Sequence, residues 1–305
     1  MILHDVHLHS YFSTDSEEKQ ENIIETAIRM GLKGICFTDH MDLFFPEECS
    51  RKSGGDFNFD LDVYFEELDE LKYRYRNEIE ILIGMEIGLR NEPELKEKCV
   101  KGYREMLAKY PFDFIIGSTH CLENIDPYWE EYWNGRTAEE GLDRYYDAIY
   151  QNVSDSDLFD TLGHLDYLVR YVSEAAARRS LIKNGRIGDF SDEEIGSVRF
   201  YGRELYDPKN FTDRIDLILK KIIDSGKALE INTAGLKYGL GYAHPRIETL
   251  KRYRELGGEM ITIGSDAHMA GHIAFDFDKV CEILKEIGFE YYLVYRDRKP
   301  CTYGL

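Results

Sequence analysis

The sequence predicts an α/β protein built as one closed barrel of seven or eight strand–helix units. Short apolar runs alternate with amphipathic stretches, which is typical of βα units rather than of a sandwich or a helix bundle. Several of the amphipathic stretches end in a glycine, as helices often do. The 305 residues show no internal repeat, no linker and no change of composition. We therefore expect a single domain over residues 1–305.

The strands and helices follow from these patterns in chain order. The predicted strands are Ile2–His7, Gly34–Thr38, Glu80–Ile87, Phe112–Ser118, Phe159–His164, Ala228–Asn232 and Met260–Gly264, with a further candidate at Tyr291–Tyr295. The predicted helices are Glu18–Met30, Leu61–Asn77, Glu92–Tyr110, Ala138–Gln151, Asp213–Ser225, Pro245–Leu256 and Phe275–Ile287. Helix-stop glycines are predicted at Gly31, Gly226, Gly257 and Gly288.

Two segments depart from the repeating pattern. Residues 41–60 are rich in Phe, Gly and charge, and residues 171–212 carry several arginines. We expect both to be loops or excursions over one mouth of the barrel, where long loops often build the functional site. The longer segment is expected to cover either the mouth of an active site or the subunit interface of a homo-oligomer.

The composition excludes several classes of partner. With 38 Lys+Arg against 58 Asp+Glu, the formal net charge is −20, which disfavours duplex DNA and anionic membrane surfaces. No apolar stretch approaches the length of a membrane span and no signal segment is visible, so we expect a soluble, cytoplasmic protein. The six cysteines are widely scattered. We expect reduced, mostly buried thiols rather than disulfides or a zinc site.

Histidines at the first strand indicate a metal site. Asp5, His7 and His9 are spaced by two residues, so a strand places all three on one face. Two imidazoles on one face can bind a single metal ion, and Asp5 could hold one of them in the right tautomer. The alternative is a pair of core histidines with ordinary hydrogen-bond partners, which leaves the aspartate unexplained.

An Asp–His pair stands at the end of two further strands. Asp39 and His40 follow the second strand, while Asp266 and His268 follow the seventh. Strand ends are the catalytic positions of such barrels. Either pair alone could equally be a helix N-cap with a surface histidine. The occurrence of two pairs at two strand ends favours metal ligation.

A buried carboxylate and two more histidines complete the candidate set. Glu86 interrupts an apolar strand, and a buried Glu is costly unless it is paired with an arginine or bound to a cation. His120 and His164 end the fourth and fifth strands. The candidate ligands are His7, His9, Asp15, His40, Glu86, His120, His164, Asp266 and His268, enough for two or three divalent ions. His4, His244 and His272 are interpreted as structural or surface residues.

These motifs, in this order, resemble the PHP (polymerase and histidinol phosphatase) superfamily. The motifs are D-x-H-x-H-S, T-D-H, G-x-E, S-x-H, G-H-x-D and S-D-A-H, and they span residues 5–268. The segments beginning at His7, Phe37, Gly163 and Glu230 resemble the histidinol-phosphate phosphatase branch.

The resemblance implies a distorted (β/α)7 TIM-like barrel, the PHP fold, with a trinuclear metal centre. The first ion would be held by His7, His9, Glu86 and Asp266. Glu86 would bridge to a second ion bound by His120 and His164, and a third would lie between Asp15, His40 and His268. The family uses zinc, manganese or iron. Some relatives have His where this chain has Asp15, which leaves the metal preference and the occupancy of the third site open.

The implied reaction is hydrolysis of L-histidinol phosphate, a small-molecule phosphate monoester of histidine biosynthesis. A hydroxide bridging two ions would attack phosphorus. Glu86, Asp266 and Arg170 are the catalytic candidates, and Arg170, Lys237, Glu230 and Asn232 are the substrate-binding candidates. Glu230 could pair with the ammonium or imidazolium of the substrate. Asp266, Asp39 or a metal-bound water could protonate the leaving alkoxide.

Three other functions are compatible with parts of the pattern. A nucleotide phosphatase or phosphodiesterase could use the same ligands, although the acidic charge disfavours polymeric DNA. A non-catalytic metal-binding domain is disfavoured because every ligand position is filled. A carbon–nitrogen bond hydrolase is disfavoured because no lysine stands at a strand end to bridge two metals.

Overall fold

Seven strand positions form a parallel barrel in a computed structural model that describes residues 1–305. The strands of the barrel are β1 His4–Leu8, β2 Gly34–Phe37, β3 His40–Met41, β4 Glu80–Gly88, β5 Phe114–Ser118, β6 Thr161–Leu162, β7 Ala228–Asn232 and β8 Ile261–Gly264. Their order is β1-β2-β4-β5-β6-β7-β8, and β3 also pairs with β4. The predicted barrel of βα units is confirmed.

The second position of the barrel is a strand in two pieces. β2 pairs with the first half of β4, and β3 pairs with the second half through His40 opposite Glu86. The interruption falls on Thr38 and Asp39. It explains why eight strands occupy only seven positions, and it carries His40 to the carboxyl end of the barrel.

Backbone hydrogen bonds join the first strand to the segment after the last. Asp266 donates its N–H to the carbonyl of His7 at 2.9 Å, and His9 donates to the carbonyl of Ala267 at 2.9 Å. The segment after β8 therefore lies beside β1. This contact brings the motif that contains His7 and His9 next to the motif that contains Asp266 and His268.

Helices surround the barrel. They are α1 Gln20–Met30, α2 Glu47–Ser53, α3 Leu61–Tyr75, α4 Pro93–Lys109, α5 Ala138–Asp155, α6 Glu174–Lys183, α7 Asp192–Ile195, α8 Thr212–Asp224, α9 Ala234–Lys237, α10 Ile247–Glu255 and α11 Phe277–Ile287. Short 3-10 turns lie at 130–133, 167–171, 187–189, 208–211 and 270–272, and a π turn lies at 201–205. All seven predicted helices are present, and α1 ends at Gly31 with a positive φ of 81° as its helix-stop glycine predicts.

The last predicted strand exists, but it lies outside the barrel. β9 Tyr291–Arg296 pairs in antiparallel fashion with β10 Lys299–Gly304, a strand the sequence pattern does not reveal. This hairpin packs on the amino-terminal end of the barrel. Arg296 pairs with Glu80 at the start of β4, and the Nδ1 of His4 lies 2.8 Å from the Tyr292 hydroxyl. The opposite, carboxyl end stays open for a site.

The cysteines fit the expectation of mostly buried thiols. All six cysteines are free and five of them are buried. None of the helices is both long enough and apolar enough to cross a lipid bilayer.

Candidate metal centre

Glu86 lies at the centre of a buried cluster of histidines at the carboxyl end of the barrel. Its side chain is inaccessible to solvent. Oε2 lies 3.1 Å from the Nε2 of His7 and 3.1 Å from the Nδ1 of His40. Oε1 lies 3.2 Å from the Nε2 of His120 and 2.8 Å from that of His164. The two carboxylate oxygens thus face different pairs of imidazoles, as a bridging ligand must.

Asp266 closes one side of this cluster. Its Oδ1 lies 3.4 Å from the Nε2 of His9 and 3.8 Å from that of His7. The Nε2 of His9 is also 3.4 Å from the Oε2 of Glu86. The structure therefore brings together the four residues expected around a first ion, and the strand spacing explains why His7 and His9 share one face.

The outer side of the cluster contains Asp15, His40 and His268. The Oδ2 of Asp15 lies 3.1 Å from the Nε2 of His268 and 3.8 Å from that of His40. The rings of His40 and His268 each stack on His9 at 4.2 Å between centroids. His9 and His40 thus each contact more than one group of ligands. The sequence motifs do not reveal this double role.

Glu230 and Asn232 lie beneath the ligands, which corrects their expected role in substrate binding. Glu230 accepts a hydrogen bond from the Nδ1 of His7, and its other oxygen accepts the backbone N–H of His164 at 2.7 Å. The Nδ2 of Asn232 lies 3.3 Å from Asp266 and its Oδ1 accepts the N–H of Ala234. Because both side chains are buried and committed to protein groups, neither is free to contact a substrate.

Asp5 also differs from the expectation. It lies on the predicted face of β1, but its carboxylate accepts the backbone N–H groups of Ser265 at 2.9 Å and Ala274 at 2.8 Å. Asp5 therefore ties β1 to the segment after β8. The carboxylate that orients a histidine of this strand is Glu230.

Asp39 does not reach the reaction side of the cluster. Its oxygens accept hydrogen bonds from the backbone N–H of Ser10 at 2.6 Å and the hydroxyl of Ser13 at 2.8 Å. The Ser13 hydroxyl lies 3.0 Å from the Nδ1 of His9. Asp39 therefore orients His9 through Ser13, and it does not fit the expected alternative of a general acid.

Asp42 is a functional residue that sequence reasoning missed. Its Oδ1 lies 2.9 Å from the Nδ1 of His120, the arrangement in which a carboxylate fixes the tautomer of a metal-binding imidazole. Gly88 makes the approach possible, since a Cβ at that position would overlap the Asp42 carboxylate. The signal in the sequence was a glycine two residues after Glu86.

The donor set fits divalent metal ions. Imidazole nitrogens and carboxylate oxygens converge without a thiolate, a combination that suits zinc, manganese or iron. The Nε2 of His9 and the Nδ1 of His40 are buried and make no hydrogen bond. Three groups of ligand atoms each lie within 4.8 Å of one another: His9, His40 and His268; His7, His9 and Asp266; His40, Glu86 and His120.

Neighbouring carboxylates raise the pKa values of His40 and His120 in the metal-free cluster. Burial disfavours a charge on His40, but the Glu86 and Asp15 carboxylates raise its pKa to about 9. Burial likewise opposes ionisation of Glu86, yet His7, His40 and His120 hold the pKa of that carboxyl well below its usual range. Metal binding must displace the imidazole protons.

A cavity of about 430 Å³ opens from the cluster to the surface. Three loops contribute to it: residues 45–57, residues 126–129 and the turn around Tyr167–Tyr171. Of the segment 171–212, only Tyr171 lines the cavity. The loop after β5, which carries Asp126, Tyr128 and Trp129, was not predicted to take part.

Arg170 is the cationic side chain that enters this cavity from the β6 loop. It is buried, and neither its Nε nor its Nη1 has a hydrogen-bond partner in the protein. The rings of Tyr167, Tyr171 and Tyr238 surround the guanidinium at 4.9 to 5.5 Å. A buried guanidinium with unused donors is suited to binding an anion such as phosphate.

Lys237 and His244 do not line the cavity. The Nζ of Lys237 donates to the backbone carbonyl of Asp266 at 2.7 Å, so it supports the segment after β8 rather than contacting substrate as expected. His244 is buried with its Nδ1 2.6 Å from Asp166, in agreement with a structural role. Lys237 is thus a correction to the substrate-binding set.

Replacing Asp42 by asparagine is expected to weaken metal binding by on the order of 10- to 100-fold, because His120 loses the carboxylate that orients it. The measurement is a metal titration in competition with a chelator. Asp56→Asn, an exposed residue of the same segment, serves as the matched control and should bind as the parent protein does. Equal affinity in both variants would show that Asp42 does not orient His120.

Comparison with known proteins identifies relatives over nearly the whole chain. A family model described as PHP domain matches residues 5–234. The histidinol-phosphatase of Lactococcus lactis subsp. lactis (strain IL1403) is 31% identical over 291 residues, which cover 93% of this chain and 91% of that protein. A Clostridium acetobutylicum protein named "Probable histidinol-phosphatase" is also 31% identical, over 95% of this chain and 97% of its own length.

A solved structure shares the complete fold. The crystal structure of histidinol phosphate phosphatase from Lactococcus lactis, in complex with zinc, L-histidinol and phosphate, superposes with a TM-score of 0.77. The two chains are 29% identical, and the alignment covers 98% of each. The expected barrel and the expected family resemblance are both confirmed.

Proposed function

Because the chain belongs to the PHP domain family, we propose that it is a histidinol-phosphatase, which hydrolyses L-histidinol phosphate to L-histidinol and inorganic phosphate. The observation that carries the proposal is the buried cluster around Glu86 opening beside the unpartnered Arg170. Zinc, L-histidinol and phosphate are bound in the related Lactococcus lactis structure, which supports the same substrate here.

The cluster has ligands for three divalent ions. His7, His9, Glu86 and Asp266 would hold the first, Glu86, His120 and His164 the second, and Asp15, His40 and His268 the third. When bound, divalent ions neutralise the phosphoryl oxygens and acidify a water for attack on phosphorus. They also explain how a chain of net charge −20 can attract a phosphate monoester without a basic surface.

The protein's own side chains supply position and proton transfer. Arg170 donates its Nε and Nη1 hydrogens to phosphoryl oxygens, and the surrounding tyrosines fix the plane of the guanidinium. Burial opposes ionisation of Asp266, but His7, His9 and His268 hold its pKa well below the usual range. The Nδ2 of Asn232 lies 3.3 Å from the Oδ2 of Asp266 and orients that oxygen.

Asp266 can then move the proton that the reaction requires. Water forms a bond to phosphorus as the ester P–O bond breaks, and the water proton must reach the leaving alkoxide. An ionised carboxylate at the edge of the cavity can accept that proton and return it to the alcohol. No other oxidant, reductant or co-reactant is needed.

The charge of the chain bears on its partners. A net charge of −20 provides no electrostatic attraction to a nucleic-acid backbone, so the proposed substrate is a small molecule.

Phosphate release from metal-loaded protein tests the function. L-Histidinol phosphate should be hydrolysed with a kcat/KM that exceeds those of nucleoside monophosphates and phosphodiesters by orders of magnitude. The variant His7→Ala/His9→Ala should release no phosphate. Preference for a nucleotide or a diester would refute the proposed substrate but not the metal centre. If metal-loaded protein released phosphate from none of the substrates, the proposal that the chain is an enzyme would be refuted.

A further inference from the structure

One wall of the cavity is formed by residues that are not among the metal ligands. Asp126, Tyr128 and Trp129 come from the loop after β5, and Phe45 and Phe57 face them from the segment after β3. Tyr171 joins this wall, with its ring 5.0 Å from that of Tyr128. The wall is thus aromatic, with a single carboxylate and with the Nζ of Lys52 5.2 Å from the ring of Trp129.

Asp126 differs from the other carboxylates of the cavity because no histidine forms an ion pair with it. Asp15, Asp42 and Asp266 are engaged by His268, His120 and the first-ion histidines. Asp126 accepts only the backbone N–H of Tyr128 at 2.8 Å, through Oδ1, and forms no ion pair. Lys52, a lysine that lines the cavity, pairs with Glu131 instead.

The loop holds Asp126 in a fixed position. Leu122 and Ile125 exchange two backbone hydrogen bonds of 3.1 Å, and Trp129 donates its N–H to the carbonyl of Asp126 at 3.0 Å. The indole of Trp133 donates to the carbonyl of Pro127 at 3.0 Å. A carboxylate held in this way loses little freedom when it binds a partner.

We propose that Asp126 and its aromatic wall bind the protonated nitrogen of the alcohol part of the substrate, so that the enzyme selects cationic phosphate monoesters. The metal ligands and Arg170, whose guanidinium lies 5.2 Å from the ring of Tyr171 at the edge of this wall, take the phosphoryl end. Aromatic faces favour a cation beside the carboxylate. The inference rests on the proposed function and specifies how the same site tells histidinol phosphate from anionic phosphate esters.

The burial of the Asp126 carboxylate is consistent with a role in binding a cation. It raises the pKa of Asp126 to about 6, with His120 acting in the opposite sense. A cationic group in contact with the carboxylate stabilises its ionised form.

Asp126→Asn tests the inference, because asparagine can still accept the Tyr128 N–H and keep the loop in place. The KM for L-histidinol phosphate should rise on the order of 10- to 100-fold, the effect of losing a hydrogen bond between charged groups. Hydrolysis of p-nitrophenyl phosphate, which has no cation, should keep its kcat/KM within about twofold, since its contacts do not include the carboxylate. Glu123→Gln, in the same loop but exposed and paired with Arg136 and Arg144, should resemble the parent protein.

Calorimetric titration of the metal-loaded protein with L-histidinol separates this inference from the proposed function. If the parent protein does not hydrolyse histidinol phosphate, the function fails, and weaker histidinol binding by Asp126→Asn still supports the cation site. Unchanged KM and unchanged histidinol binding in the variant would overturn the inference. Equal loss with both phosphate esters would also overturn it, since that result indicates damage to the metal centre.

Discussion

Replacing Glu86 by glutamine is expected to remove bound metal and to lower kcat/KM for phosphate release by on the order of 10³-fold or more, since the proposed ions supply several kcal/mol of transition-state stabilisation. The two carboxylate oxygens of Glu86 contact different pairs of histidines. Oε2 faces His7 and His40, and Oε1 faces His120 and His164. A glutamine would present a hydrogen-bond donor where one of these oxygens should meet a cation.

The same strand provides a matched control for this substitution. Glu80 is the first residue of β4, whose last residue is Gly88. It pairs with Arg296 at the opposite mouth of the barrel from Glu86. Glu80→Gln should keep full metal content and activity, although it removes an ion pair. Metal content by elemental analysis and phosphate release are the two readouts. A Glu86→Gln protein that keeps its metal would contradict the bridging role.

The sequence predicts the ligand cluster well because strand geometry is local. The spacing of His7 and His9 places both on one face whatever the rest of the fold does. Parallel strands in a barrel bring their carboxyl ends to one mouth, so His120 and His164 follow from their positions after apolar runs. The seven predicted helices also follow from local periodicity and helix-stop glycines.

The depth of a residue along the barrel axis and its contacts with distant strands are harder to predict from local sequence patterns. Asp5 has the correct parity, but it lies two residues below His7, about 6.6 Å along the strand at 3.3 Å per residue. At that depth its neighbours are the N–H groups of Ser265 and Ala274. The carboxylate at the height of His7 is Glu230, from a strand 223 residues away in sequence. No local pattern reveals that pairing.

The cavity wall was missed for a related reason. The loop carrying Asp126 contains both tryptophans of the chain, Trp129 and Trp133, a signal that the predictions did not take up. The segment 171–212 was singled out instead, yet only Tyr171 of that segment lines the cavity. Which loops face inward depends on how each strand leaves the barrel. Composition alone therefore identifies the long excursions but does not say which of them reach the substrate.

Replacing Arg170 by lysine is expected to lower kcat/KM for the phosphate monoester by on the order of 10²-fold, because lysine keeps the charge but loses the planar, bidentate donor geometry. The Nε and Nη1 of Arg170 have no partner in the protein. Inorganic phosphate should inhibit the variant less strongly by a similar factor. Arg178→Lys, the same change at the surface ion pair with Glu174 and Asp192, is the control and should leave both values unchanged.

The melting temperature of an Arg170 variant distinguishes a phosphate-binding role of this arginine from a structural role. A buried cation without a carboxylate partner stabilises the fold little or not at all, because its desolvation opposes its remaining contacts. Arg170→Met should therefore abolish phosphate inhibition without lowering the melting temperature of the metal-free protein. If the melting temperature falls by several degrees and phosphate still inhibits, the role of Arg170 is structural, through its stacking with Tyr167, Tyr171 and Tyr238. The phosphoryl oxygens must then be bound by other groups.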